Sequence, residues 1–187
     1  RHHRDLHSFC TGCCSDLASG VATWRVFCEM SDLRPSVMAG HSLGEYSALV
    51  ASNALNFSSA VSIVAERARL MQAAVPAGEG AMAAILGLDD ADVVAVCEAA
   101  EGVVEAVNFN SPGQVVIAGA AAAVDAAIEI AQEKGAKRAL KLPVSVPSHS
   151  SLMIGAAEQL SEKLSAADIQ LPSISVIHNV NAQAATD

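Results

Sequence analysis

Gly40-His41-Ser42-Leu43-Gly44 has the G-x-S-x-G spacing of a nucleophile elbow, a tight strand-to-helix turn that presents a serine Oγ for attack. So tight a turn is expected to exclude side chains at both glycine positions. It also lifts Ser42 toward the positive end of the following helix, where the backbone N–H of Leu43 can face a developing oxyanion. An ordinary glycine-rich turn reads the same way in isolation. The flanking residues favour the elbow, because 36–39 read as a short buried strand and the residues from Glu45 as a helix.

A serine nucleophile needs a base. His149 is the best candidate, since Val146-Pro147-Ser148-His149 is an extended segment leading into a helix, where an imidazole can be held rigidly. His41 adjoins Ser42 on a turn from which neighbouring side chains diverge, which suits a supporting role. His178 ends an apolar strand and reads as a core or edge residue. On the helix after the elbow, 100° per residue gathers Ala60, Ile63, Val64, Leu70 and Met71 in an arc centred near Arg67, with Ser62, Glu66, Arg69 and Gln72 opposite. Arg67 therefore points inward and needs an anion, either an internal carboxylate or one on a substrate. Asn108 and Asn110, near a strand end facing a turn, are candidate pocket residues, with an ordinary turn role as the alternative.

Around these residues, a first stretch 1–20 follows no clear period and carries His7, Cys10, Cys13 and Cys14. No second Cys/His pair stands at finger-like spacing, so a disordered leader is expected rather than zinc. From Val21 come a helix through Trp24 and Phe27, the strand at 36–39, the turn, a helix over 45–53 and another over 58–74 capped by Ser58 or Ser59. Residues 79–142 then read strand, helix, strand, strand, helix, strand, the βαββαβ order of a ferredoxin-like subdomain. A helix over 152–166, capped by Ser150 or Ser151, and a buried strand at 174–178 follow. The fold expected is α/β: a large domain from 21–78 and 143–187, with the ferredoxin-like unit inserted.

Composition closes off other classes. The net charge of −9, with one Trp, one Tyr and four Phe in 187 residues, opposes nucleic-acid binding by charge and by stacking. No run approaches the roughly 18 apolar residues of a membrane span. Five cysteines, an odd number, and no visible signal peptide suit a reducing, cytoplasmic compartment. The one dense basic stretch, with Lys134, Lys137, Arg138 and Lys141, reads either as a helix end with a solvated strand edge or as a docking patch for an acidic partner.

Taken together, GHSLGEYSALVA, ERARLMQ, VNFNSPGQVVIAG, GAKRALKLPVSVPSH and VIHNV, in that order over about residues 21–187, resemble the bacterial malonyl-CoA:acyl carrier protein transacylases. The resemblance implies a hydrolase-like α/β large domain carrying a ferredoxin-like small one. It also implies that Ser42 is acylated, that His149 is its base in a dyad oriented by a backbone carbonyl, and that Arg67 pairs with the malonyl carboxylate. Malonyl-CoA and acyl carrier protein are the implied substrates, the carrier docking near Lys134, Lys137, Arg138 and Lys141. No cofactor or metal is implied, the complete enzyme is expected to be a monomer, and its product supplies fatty acid biosynthesis. The family's N-terminal GQGSQ motif and its C-terminal third have no counterpart here, so Leu43 is left as oxyanion donor and the isolated chain is expected to be inactive or poorly folded.

Three other readings stay open. A G-x-S-x-G esterase would need a triad acid and gives no reason for an inward Arg67. An acyltransferase domain of a polyketide synthase shares the chemistry, but Val-Pro-Ser-His differs from the His-Ala-Phe-His or Tyr-Ala-Ser-His typical there. A binding module built on the βαββαβ unit would need neither Ser42 nor His149.

Overall fold

The computed structural model describes residues 2–184, and their side chains from residue 9 onward. It contains α1 (His2–Met30), β1 (Val37–Ala39), α2 (Gly44–Ala51), α3 (Phe57–Ala74), β2 (Gly80–Leu86), α4 (Asp90–Ala99) and β3 (Val104–Ser111). Then follow β4 (Gln114–Ala120), α5 (Ala121–Glu133), β5 (Arg138–Lys141), a 3₁₀ turn (Ser151–Met153), α6 (Ile154–Ser165) and β6 (Ser175–Ile177). The architecture is mixed α/β. The chain divides into two units, one running through Arg69 and resuming at Leu160, the other spanning Leu70–Gln159. These borders fall inside α3 and α6 rather than at 78/79 and 142/143. Within the second unit, Pro147 lies so close to Gly80 that a Cβ there would meet its Cδ at 2.5 Å, and Glu105 accepts from the Ser151 N–H at 2.6 Å, which ties 143–159 to the sheet that precedes it.

The first unit is built on β1 and β6, parallel and in register from Val37 opposite Ser175 to Ala39 opposite Ile177. Its apolar cluster joins Leu17 and Val21 of α1, Leu55, and Ala60, Ile63 and Val64 of α3, with Leu160, Leu164 and Ala167 packed against them. The expected disordered leader is therefore corrected: residues 2–20 belong to α1. Cys13, Cys14, Leu17 and Val21 recur at helical spacing, and both cysteines pack on the cluster as small apolar groups. All five cysteines are free thiols. Among the described residues no group of three or more His, Cys, Asp or Glu is placed to hold a metal, and the side chain of His7 lies outside them.

A second correction concerns the start of α3, which begins one residue before Ser58. Asn56 Oδ1 accepts the Ser58 N–H at 2.8 Å and the Asn56 carbonyl accepts the Ala60 N–H at 2.9 Å, so asparagine is the cap. Gln72, placed on the solvent face by the helical wheel, has its Oε1 buried without a hydrogen-bond partner. It lies on the last turns of α3, which belong with the second unit. Arg69 does face solvent and pairs with Glu66 at 2.8 Å; that hydrogen bond holds the Glu66 carboxyl below its usual range.

The second unit is a four-stranded antiparallel sheet of order β3-β4-β2-β5 with α4 and α5 on one face, the ferredoxin-like arrangement. Period-2 alternation sends Ala81, Ala83, Ile85, Val115 and Ile117 toward the helices, while Met82, Val116 and Ala118 form a smaller cluster on the other face. Alanines at 123, 127 and 131 let α5 approach the sheet closely. Gly119 permits another close approach, because a Cβ there would lie 2.0 Å from the Val103 carbonyl oxygen. Among the described residues no helix is long and apolar enough to cross a membrane.

Candidate active site

In the first unit, β1 delivers the chain into the turn and α2 leads it away. Ser42 has φ +51, a left-handed conformation that costs a residue with a Cβ about 1–2 kcal/mol. The turn closes through Gly44 N–H to His41 O at 2.9 Å, Glu45 N–H to Ser42 O at 3.1 Å and Tyr46 N–H to Leu43 O at 3.1 Å. The two glycines are not equivalent, contrary to the expectation that both exclude a side chain. A Cβ on Gly40 would lie 2.0 Å from the carbonyl carbon of Gly44, whereas one on Gly44 meets nothing within 4 Å. Gly40 packs under the turn, while Gly44 opens the helix with its α-hydrogens facing outward.

Arg67 stands half-buried on α3, and its Nη2 donates to Ser42 Oγ at 3.2 Å. Among the described residues it forms no ion pair with a carboxylate. Its charge acts on what surrounds it: burial raises the Cys13 thiol and the Tyr46 phenol, and Arg67 opposes both shifts. A forked cation is thus held beside a serine hydroxyl. That geometry suits a substrate with one anionic end and one electrophilic carbon.

Polar ties from the far end of the sequence fix the turn. Ser42 N–H donates to Asn179 Oδ1 at 2.5 Å across 137 residues. Glu45 Oε1 accepts from His178 Nδ1 at 2.6 Å, and Glu45 Oε2 from the Asn179 N–H at 3.1 Å. The reading of His178 as a core or edge residue missed this pairing, as it missed Glu45 and Asn179. The available signal was a carboxylate in the first turn of the helix after the elbow.

In the second unit His149 has φ +68. Its segment is braced on both sides: Ser148 N–H donates to the Val146 carbonyl at 2.9 Å, Ser150 Oγ to the Pro147 carbonyl at 2.7 Å and Ser151 N–H to Glu105 at 2.6 Å, with Val146, Pro147 and Ser150 buried. A histidine held this firmly in a sparsely populated conformation is typical of a functional position. Asn108 and Asn110 lie toward the end of β3, Asn108 half-buried and Asn110 exposed. His41 is exposed and contributes its carbonyl to the turn. Lys141 pairs with Asp125 at 2.7 Å, and Lys134 caps the C-terminus of α5.

Against known proteins, the acyl transferase domain family matches residues 18–187. The chain belongs to that family. It is 56% identical over 174 residues to the malonyl CoA-acyl carrier protein transacylase of Haemophilus influenzae, covering 91% of this chain and 56% of that protein. The Bacillus subtilis protein of the same name is 51% identical, with 91% of this chain and 55% of that protein covered. The chain thus spans little more than half the length of the relatives it matches. Among solved structures, FabD from Acinetobacter baumannii superposes with a TM-score of 0.94 at 49% identity, over 100% of this chain and 60% of that one. A malonyl-transacylase in complex with its type II PKS acyl-carrier protein gives a TM-score of 0.95 at 44% identity, over 99% of this chain and 60% of that one. The family match begins at residue 18, inside α1, so it takes in only the last three residues of the stretch first read as a leader.

Proposed function

We propose that this acyl transferase chain carries the serine centre of a malonyl transferase that moves malonyl from coenzyme A to the phosphopantetheine thiol of an acyl carrier protein. Arg67 Nη2 at 3.2 Å from Ser42 Oγ is the observation that carries this reading, because an esterase has no use for a cation at its nucleophile. The names of the relatives support it, as does the acyl-carrier-protein complex of the PKS relative.

In this mechanism Ser42 Oγ attacks the malonyl thioester while His149 takes its proton, and as the tetrahedral intermediate collapses His149 passes that proton to the departing sulfur, so coenzyme A leaves as the thiol. Leu43 N–H is the proposed oxyanion donor; the N–H groups of the next three residues are committed to the turn. Arg67 takes the free malonyl carboxylate as a forked donor. The carrier thiol then attacks the malonyl ester in the reverse sense: His149 takes the thiol proton and gives it to Ser42 Oγ as that oxygen leaves, so two thioesters of similar energy are exchanged without cofactor or metal. His41, Asn108 and Asn110 are assigned to the surroundings of the substrate. The acidic carrier is expected to dock near Lys134, Lys137, Arg138 and Lys141, on a monomeric enzyme in the cytoplasm supplying fatty acid synthesis.

Intact-mass spectrometry after brief exposure to malonyl-CoA tests the reading. A malonyl adduct that is absent in Ser42→Ala and passes to acyl carrier protein is the expected result. Hydrolysis of simple esters without any adduct would favour the esterase.

A further inference from the structure

Ser42, Glu45, His178 and Asn179 form a closed ring of contacts that the transfer mechanism does not use. Ser42 N–H reaches Asn179 Oδ1 at 2.5 Å, Asn179 N–H reaches Glu45 Oε2 at 3.1 Å, and Glu45 N–H returns to the Ser42 carbonyl at 3.1 Å. His178 Nδ1 holds the other carboxylate oxygen at 2.6 Å. A carboxylate only accepts and a backbone N–H only donates, so each partner's role is fixed, including which end of the Asn179 carboxamide faces Ser42. The ring sits where β1 and β6 leave the sheet side by side, one step beyond the Ala39–Ile177 pair. It joins the end of one strand to the turn that follows the other.

We propose that Asn179, held by Glu45 and His178, is a positioning residue that locks the strained backbone of Ser42 in its reactive conformation. The φ of +51 at Ser42 belongs to a region that residues with a Cβ leave when nothing over-determines them. The turn's own hydrogen bonds engage the carbonyls of His41 and Ser42, and a further restraint acts at the Ser42 N–H. The Asn179 carboxamide supplies that restraint, because its oxygen meets the Ser42 N–H only in this rotation. Glu45 serves twice: it pins the strand end, and as an acidic group in the first turn of α2 it is itself favoured there by the helix dipole. A one-residue change at the end of β6 therefore acts on a serine 137 residues away.

This inference rests on Ser42 as the acylated nucleophile, and two reagents separate its failure from failure of that reading. The rate of Ser42 modification is measured with malonyl-CoA and with a small fluorophosphonate, which reports nucleophilicity without needing Arg67 or a carrier. Asn179→Ala is expected to slow both reactions about 10- to 100-fold through the rate at saturation, with the KM for malonyl-CoA nearly unchanged. Asn179→Asp, which keeps an oxygen acceptor in place, is expected to recover most of the loss. Glu45→Gln, which keeps one acceptor of two, is expected to lose several-fold and stands in if Asn179→Ala does not fold. Unchanged rates in these variants, a loss carried by KM alone, or no recovery with Asp would overturn the positioning role. A parent protein that takes fluorophosphonate but not malonyl would overturn the malonyl reading, and the fluorophosphonate rates of the variants would still decide the role of Asn179.

Discussion

The elbow of the first unit and the sheet of the second are stabilised by opposite means. Around Ser42 the turn depends on a left-handed serine, a glycine with no room for a Cβ, and polar contacts from Glu45, His178 and Asn179. The second unit's main cluster is made of Ala, Val, Ile and Leu with Cys97 as its single thiol. A few directional contacts fix atoms to within tenths of an ångström but collapse when one is lost, whereas many small dispersion contacts give stability that no single one controls. The difference teaches where chemistry can be placed: strain is tolerated where hydrogen bonds over-determine the backbone, whereas an apolar, alanine-rich core spreads its stability over many contacts.

Substituting the turn glycines should break the elbow most sharply. Gly40→Ala forces a Cβ to 2.0 Å from the Gly44 carbonyl carbon and is expected to lower the rate of Ser42 acylation by at least about 10³-fold. Gly44→Ala has open space around its Cβ and is expected to leave the rate within about twofold, even adding a little helix propensity. Stopped-flow acylation of both variants checks this; equal damage would mean that the turn tolerates a Cβ at neither end.

This asymmetry also marks how far the sequence could be read. G-x-S-x-G shows the turn but not which glycine is pressed against backbone, since that depends on where Gly44 C and O fold back. Arg67 was legible because its helix buries one arc, and the βαββαβ order was legible because alternation in β2 and β4 and the 3.6-residue period in α5 are local signals. The ring of Glu45, His178 and Asn179 was not, since it joins residues more than 130 apart and no period announces it. The start of α1 was lost for another reason: Cys13 and Cys14 were weighed as metal ligands when they pack as small apolar groups. Asn56 was passed over as a cap because two serines stood next to it.

In the sheet unit a single deletion should be costly but graded. Ile117 is fully buried at the centre of β4 between the β2 and β3 pairings, so Ile117→Ala is expected to destabilise the unit by about 2–5 kcal/mol. Urea unfolding measures this. A cost below about 1 kcal/mol would mean that the core closes over the cavity, contrary to a close-packed interior.

Arg67 tests the elbow's selectivity rather than its integrity. Arg67→Ala is expected to slow malonyl transfer about 10- to 100-fold more than acetyl transfer, because only malonyl loses a carboxylate partner. The adduct rates from malonyl-CoA and acetyl-CoA give the ratio directly. Equal losses would assign Arg67 to the support of Ser42 Oγ, which it touches at 3.2 Å, and not to the substrate.

The smallest effect probes how dry the second core is. Burial, with lesser contributions from Glu105 and Glu98, pushes the Cys97 thiol from its ordinary 9.0 up to about 11. Between those values the unfolded chain gives up the thiol proton while the folded chain keeps it, so the unfolded state binds fewer protons and stability falls as pH rises. The contribution is complete below pH 9 and is lost progressively toward pH 11. The informative quantity is the difference from Cys97→Ala. From pH 8 to pH 10 the parent should lose about 1 kcal/mol more than the variant in urea unfolding. Identical slopes would mean that water reaches Cys97 on α4, and that the sheet owes its stiffness to its strand pairing more than to a sealed apolar interior.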